Sequence, residues 1–124
     1  PPNRAKGTAA ESKPAAPVVL DAEAVEAWIA ELRSLMWQDA GLLRDATGLR
    51  RAQAKLDAMM RGIPRGFSRR AVEARSLYTV ASVIIASAAE REESRGAHFR
   101  NDFPQHNPIA KHSLMDKGRL TIVD

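Results

Sequence analysis

The sequence predicts an all-α fold: an antiparallel three-helix bundle with a disordered N-terminal linker and an irregular C-terminal tail. Apolar residues recur at three- and four-residue spacing in three separate segments, and short breaks containing Gly or Pro divide them. Such short connections make consecutive helices antiparallel neighbours. A chain of 124 residues, with 44% hydrophobic and 27% charged residues, has the size and composition of one soluble globular domain.

The first 17 residues are rich in Pro, Ala, Lys and Gly and show no apolar periodicity. A segment of this kind buries too little apolar surface to offset the entropy that it would lose on ordering. Residues 1–19 are therefore predicted to be a linker that follows a further region of a longer protein.

The first helix is predicted to start at Asp21, a good N-cap residue, and to end near Gly41. Its apolar face has helical spacing and consists of Val25, Trp28, Ile29, Leu32, Leu35 and Met36.

The second helix starts at Asp45 or at Thr47, since either side chain could cap it, and Gly62 and Pro64 end it. One face is apolar and comprises Leu49, Ala52, Leu56 and Met59.

The third helix is predicted to run from a cap at Ser68 to about Ser94. One side carries Val72, Ser76, Val80, Val83, Ile84 and Ser87, and the other carries Leu77, Ala81, Ile85 and Ala88. A helix that is apolar on nearly all sides is expected to be central in the bundle.

The chain changes character after Gly96, where Pro104, Pro108 and Gly118 interrupt it and residues 120–123 resemble a short terminal strand. We therefore expect a bundle over residues 20–96. Residues 97–124 form a tail that packs on the bundle or on other domains.

Several classes of function are disfavoured by composition. The absence of cysteine excludes disulfides and thiolate metal sites. No uninterrupted apolar run approaches the roughly 20 residues that span a bilayer, and no signal core is visible, so we expect a cytoplasmic protein without a membrane partner. The net charge is +4, and its excess is carried mainly by arginine. The best candidate for a nucleic-acid site is a basic loop at residues 61–70, which we interpret as a solvated connection because its charges do not follow a helix face.

No catalytic, cofactor-binding or metal-binding residue is predicted. The chain has no Gly-x-Gly-x-x-Gly after a strand, and His98, His106 and His112 lack the paired spacing of a zinc site. Ser94, His98 and Asp102 could be drawn as a hydrolase triad, but no nucleophile elbow accompanies them.

Three motifs carry a resemblance to a known family. They are LMWQDAGLLRD at residues 35–45, EARSLY at residues 73–78 and EESRGAHFRNDFP at residues 92–104, of which the last is the most specific. A His-Ser pair follows at residues 112–113. In this order they resemble the C-terminal domain shared by L-aspartate oxidases and the flavoprotein subunits of succinate dehydrogenase and fumarate reductase.

The resemblance implies a parent enzyme that oxidises L-aspartate to iminoaspartate with FAD, for use by quinolinate synthase in de novo NAD biosynthesis. FAD would lie in FAD-binding and capping domains N-terminal to this chain, which would itself be non-catalytic. After Pro104 the chain lacks the acidic, Trp-containing stretch of succinate dehydrogenases, and this favours an L-aspartate oxidase. The alternatives are a succinate dehydrogenase or fumarate reductase flavoprotein, a stand-alone helical interaction module and, least favoured, a basic nucleic-acid-binding bundle.

Five residues are candidates for an interface with the FAD-binding and capping domains: Trp37, Arg95, His98, Arg100 and Asp102. We expect Arg95, His98 and Arg100 to leave the third helix as donors aimed outward, with local helix capping as the open alternative. The two tryptophans, Trp28 and Trp37, are interpreted as core or interface anchors.

Overall fold

The computed structural model describes residues 19–124, so the predicted linker lies almost wholly outside the described residues. Three helices are followed by a β-hairpin. The elements are α1 (Ala22–Ala40), α2 (Ala46–Met60), α3 (Arg69–Glu90), β1 (His112–Asp116) and β2 (Arg119–Val123). The predicted three-helix bundle is confirmed, and the two-stranded sheet is an addition that the term all-α does not cover.

Each helix begins at a side chain that accepts a hydrogen bond from a backbone N–H of its first turn. Asp21 accepts from Ala24 (2.8 Å) and Ser68 accepts from Ala71 (3.2 Å), as predicted. Of the two candidates for α2, Asp45 is the cap, and it accepts from the Gly48 N–H at 2.7 Å. These bonds satisfy donors that have no partner within the helix.

The core lies where all three helices meet, because each helix packs against both of the others. Ala52 and Leu56 of α2 are fully buried, and Trp28 is 8% exposed. The Trp28 indole N–H donates to the Met59 carbonyl at 3.4 Å, and its ring centroid lies 6.1 Å from that of Tyr78. Trp28 is therefore a core residue, one of the two roles predicted for it.

The third helix differs from the prediction in two respects. It ends at Glu90 rather than Ser94, because Arg91 has extended backbone angles (φ −84°, ψ 94°). It is also not central: its buried residues are Ala71, Ala74, Ala81, Ile85 and Ala88, whereas Val72, Val80, Val83 and Ile84 are 36% to 56% exposed. In a three-helix bundle each helix buries only the face toward the other two, so the second apolar side remains at the surface.

By length and composition alone, α3 could span a membrane, with a mean hydropathy of 1.2 over an 18-residue window. A third of that window is buried in the bundle. Core helices of soluble proteins meet the same criterion.

The tail contains a β-hairpin, of which the sequence predicted only the second strand. The expected terminal strand is β2, and it pairs antiparallel with β1 in the register His112 with Val123 to Asp116 with Arg119. Lys117 (φ 48°) and Gly118 (φ 78°) both lie in the left-handed region, as a two-residue turn between strands requires.

Candidate functional site

A cluster of charged side chains holds the loop of residues 91–107 against the ends of α3 and α2. Its members are Arg44, Arg91, Arg95, Arg100, Glu93 and Asp102, which we call the arginine cluster. The backbone positions it: the Arg44 N–H donates to the Phe99 carbonyl (3.1 Å), and the Asn101 N–H donates to the Arg44 carbonyl (2.7 Å). The loop is thereby joined to the connection between α1 and α2.

Arg100 is the most buried member, at 2% exposure. Its Nη1 donates to the carbonyls of Ala88 (3.2 Å) and Ala89 (2.9 Å) in the last turn of α3. Its Nε (2.9 Å) and Nη2 (2.6 Å) donate to the two carboxylate oxygens of Asp102. The guanidinium also lies 4.8 Å from the centre of the Phe103 ring. One arginine thus caps a helix C-terminus and forms a bidentate salt bridge with a carboxylate.

Asp102 extends this connection to α2, since its Oδ2 accepts from the Ala46 N–H at 3.0 Å. The hydrogen-bonded Arg100 guanidinium lowers the pKa of Asp102 to about 2, so the carboxylate stays ionised at neutral pH. A cation at the end of α3 and an anion at the start of α2 both complement the helix dipoles.

Glu93, only 4% exposed, is the second acidic member. It accepts from the Asn107 N–H (2.9 Å), from Arg91 Nη1 (2.6 Å) and from Arg95 Nε (3.1 Å). These donors, the Asn107 N–H first among them, lower the pKa of Glu93. Arg91 Nη2 also donates to the Lys111 carbonyl (2.6 Å), which fixes the chain just before β1.

His98 lies between Arg44 and Arg91. Its Nδ1 is 2.9 Å from Arg44 Nη1, and its Nε2 is 3.2 Å from the Arg91 carbonyl oxygen. A guanidinium can only donate and a carbonyl can only accept, so His98 is neutral with its proton on Nε2. Burial, and then the positive charges of Arg44, Arg91 and Arg100, lower the pKa of His98.

The structure corrects the expectation that three donors point outward. Arg100 is buried and turned inward, and it caps α3 locally. Arg95 and His98 are partly buried and bond within the domain, Arg95 Nη2 donating to the Asn107 carbonyl at 2.7 Å. Trp37, by contrast, is 73% exposed near the end of α1. That these residues and Asp102 contact another domain stays a prediction.

Three cluster members, Arg44, Arg91 and Glu93, were absent from the predicted interface set. Glu93 accepts from both Arg91 and Arg95 in an irregular loop, whereas the sequence predicted a helix that continues to about Ser94. Arg44 ends the Gly-Leu-Leu-Arg motif at residues 41–44, which was the only signal for it. Nothing local indicates that it meets a histidine 54 residues later.

The arrangement offers little for catalysis. The Ser94 hydroxyl donates to the Phe103 carbonyl (2.8 Å) and accepts from the Arg100 N–H (2.9 Å), so it does not bond to His98 as a triad would require. Over residues 19–124, no buried side-chain N or O atom lacks a partner, and no group of three His, Cys, Asp or Glu residues could hold a metal ion.

Comparison with known proteins assigns the domain. A family model described as the fumarate reductase flavoprotein C-terminus matches residues 68–122, that is α3, the loop after it and most of the hairpin. The chain belongs to this flavoprotein C-terminal family. The resemblance stated from the sequence motifs is thereby confirmed.

Three relatives illustrate the breadth of the family. The chain is 37% identical over 90 residues to an L-aspartate oxidase of Pseudomonas aeruginosa, an alignment that covers 68% of this chain and 17% of the oxidase. It is 35% identical over 95 residues to a subunit of the fumarate reductase (CoM/CoB) of Methanothermobacter marburgensis, covering 68% and 17%. It is 32% identical over 97 residues to an FAD-dependent oxidoreductase of Methanocaldococcus jannaschii, covering 73% and 18%. The chain thus spans less than a fifth of the length of each of these relatives.

Proposed function

We propose that this chain is the C-terminal helical domain of an FAD-dependent L-aspartate oxidase. The observation that carries the proposal is its 37% to 38% identity to L-aspartate oxidases of Pseudomonas aeruginosa, Ralstonia nicotianae and Rhodospirillum rubrum over 68% of the chain. The parent enzyme would be cytoplasmic and would oxidise L-aspartate to iminoaspartate, a substrate for quinolinate synthase in NAD biosynthesis. FAD would be held by FAD-binding and capping domains of the same polypeptide.

Within that enzyme, the chain would have a structural role. A general base or nucleophile needs a free lone pair directed at substrate. The polar groups of the loop are instead committed to one another: Asp102 to Arg100, Glu93 to Arg91 and Arg95, and His98 to Arg44. Such closed pairs favour a rigid, docked domain over a reactive one.

A fumarate reductase or succinate dehydrogenase flavoprotein is the second candidate, favoured by the 35% identity to the Methanothermobacter protein. The residues after Pro104, Gln105 to Ile109, contain neither acid nor tryptophan, and this supports the oxidase instead.

The test is to purify the full-length polypeptide that carries this chain and to record its flavin spectrum during anaerobic addition of L-aspartate or of succinate. Bleaching of bound flavin by L-aspartate, but not by succinate, is the expected result. Bleaching by succinate alone would favour the second candidate. A polypeptide without bound flavin, and unable to retain added FAD, would overturn both and leave a stand-alone interaction module.

A further inference from the structure

A groove beside the arginine cluster combines apolar and cationic surface. It has a volume of about 340 Å³ and is lined by Arg44, Val83, Ile84, Ser87, Ala88, Arg91 and His98. Val83 and Ile84 are 36% and 37% exposed. The lining contains no acidic residue, although it contains two guanidinium groups.

Arg44 differs from the other arginines of the cluster. Arg91, Arg95 and Arg100 each form an ion pair, whereas no carboxylate of residues 19–124 lies within 4.0 Å of the Arg44 guanidinium. Its contacts are the carbonyls of Ala40 (3.0 Å) and Gly41 (3.2 Å) and the neutral His98 ring. Partial burial lowers the pKa of Arg44, which is the sign of a cation that has lost water without gaining a counter-charge.

The charge balance of the cluster points the same way. Its four guanidinium groups face two carboxylates, and His98 adds no negative charge. A partly buried cation is stabilised most by a carboxylate that it can bind by two parallel hydrogen bonds. The groove is therefore complementary to an incoming acid, and its apolar floor is complementary to an apolar side chain beside that acid.

We infer that this groove docks an acidic segment of the FAD-binding region of the same polypeptide, with an Asp or Glu carboxylate on Arg44 and a neighbouring apolar side chain on Val83 and Ile84. The inference rests on the proposed function for the presence of that region. A protein segment fits better than a free dicarboxylate, because a small acid would leave the apolar floor exposed.

The first experiment is cross-linking in the full-length polypeptide with a carbodiimide, which joins a lysine amine to a carboxylate in contact with it. The variant is Arg44→Lys, and the matched control is Arg75→Lys. Arg75 is also partly buried and also donates to carbonyls, those of Pro64 and Gly66 (both 2.8 Å), but it lies outside the groove. Lys111 and Asp124, 3.2 Å apart, provide an internal positive control.

Mass spectrometry should find the lysine introduced at position 44 joined to an Asp or Glu of the FAD-binding region, and the lysine at position 75 joined to none there. Cross-links from position 44 confined to residues 1–124, or none while the Lys111–Asp124 product forms, would overturn the inference. The flavin assay on the unmodified protein is a separate test. Bleaching by succinate instead of L-aspartate would refute the assignment as an L-aspartate oxidase, but it would not contradict docking at the groove.

A second pair of variants covers the case in which Arg44→Lys does not fold. Ile84→Asp places a charge in the groove, and Val72→Asp places one at a similarly exposed position, 43%, that does not line it. In full-length protein, Ile84→Asp should increase the rate of limited proteolysis between the two regions at least tenfold over Val72→Asp. Equal rates for the two variants would contradict docking at this groove.

The alternative occupant of the groove is a small dicarboxylate. Its binding can be tested by adding millimolar succinate or L-aspartate to the 124-residue chain and recording the NMR spectrum. We expect no change in the amide resonances of Ile84, Ala88 and His98. Saturable shifts confined to these residues would identify a small-molecule site and overturn the docking of a protein segment.

Discussion

The helical core and the arginine cluster hold the molecule together by different physics. In the core, Leu49, Ala52 and Leu56 are at most 1% exposed, and they stabilise the fold through the hydrophobic effect, which has no preferred direction. In the cluster, Arg100 is nearly as buried, but its guanidinium is fixed by four hydrogen bonds of defined geometry. The comparison teaches that an irregular loop, which has no helical face to bury, can be held by directional bonds to helix ends instead.

The largest expected effect is that of Arg100→Ala. The change leaves Asp102 without its cation and the carbonyls of Ala88 and Ala89 without their side-chain donor. It also leaves a cavity in place of a side chain that is 2% exposed, and the combined cost should be about 3–5 kcal/mol. Urea unfolding of the 124-residue chain at pH 7 measures it. Arg100→Lys is the matched control and should recover only part of the loss, because an ammonium cannot reproduce the planar fork. A loss below about 1 kcal/mol for Arg100→Ala would show that the core alone carries the fold.

Leu56→Ala tests the other side of the comparison. The side chain is fully buried, so its removal should lower the free energy of unfolding by about 3 kcal/mol through lost burial and a cavity. The control, Leu42→Ala, removes the same atoms from a side chain that is 74% exposed and should change stability by less than about 0.5 kcal/mol. Equal effects in urea unfolding would contradict the assignment of the core.

Part of the acid dependence of stability should come from the cluster, whereas the apolar core should contribute none. The pKa of Asp102 is about 2 in the folded chain against an ordinary 3.8, so the unfolded chain takes up the proton first. Its contribution is therefore complete above about pH 4 and is lost as the pH falls from about 4 to about 2. Asp102→Asn should flatten this limb of a pH series of unfolding curves, whereas Leu56→Ala should shift the curve and keep its shape.

The smallest effect is expected for Trp37→Ala. With 73% of its surface exposed, Trp37 contributes to neither region, and the change should alter the stability of the 124-residue chain by less than about 0.5 kcal/mol. A clearly larger loss of thermal stability in the full-length polypeptide would support its predicted place at a domain interface. A large loss in the 124-residue chain would instead show packing within the domain.

Much of the bundle could be predicted because its signals are local. The caps Asp21 and Ser68 and the apolar spacing of α1 and α2 depend on residues three or four apart, so the elements were found close to their observed ends. The hairpin was predicted only in part, because Lys117-Gly118 is not one of the residue pairs that most strongly indicate a two-residue turn. The predicted central position of α3 was wrong. Periodicity shows which faces of a helix are apolar, but it does not show which of two apolar faces the other helices cover.

The candidate site was less predictable. The motif at residues 92–104 marked where it lies, but not which partners its side chains would take. Arg44 and His98 are 54 residues apart, and Ala46 and Asp102 are 56 apart. Sequence spacing does not predict contacts between residues so far apart. The inward contacts of Arg100 were therefore not foreseen, and its side chain was expected to point outward.

The sequence by itself determined three helices, their caps and the family motif, because backbone capping and apolar periodicity act over a single helical turn. Only the tertiary structure decided that α3 leaves an apolar face at the surface, that Arg100 turns inward between two helix ends, and that Arg44 is left without a carboxylate among residues 19–124. Those outcomes depend on which distant segments approach one another. The free energy of burying a charge is set by the polar groups that the folded chain places around it, and the sequence alone does not identify those groups.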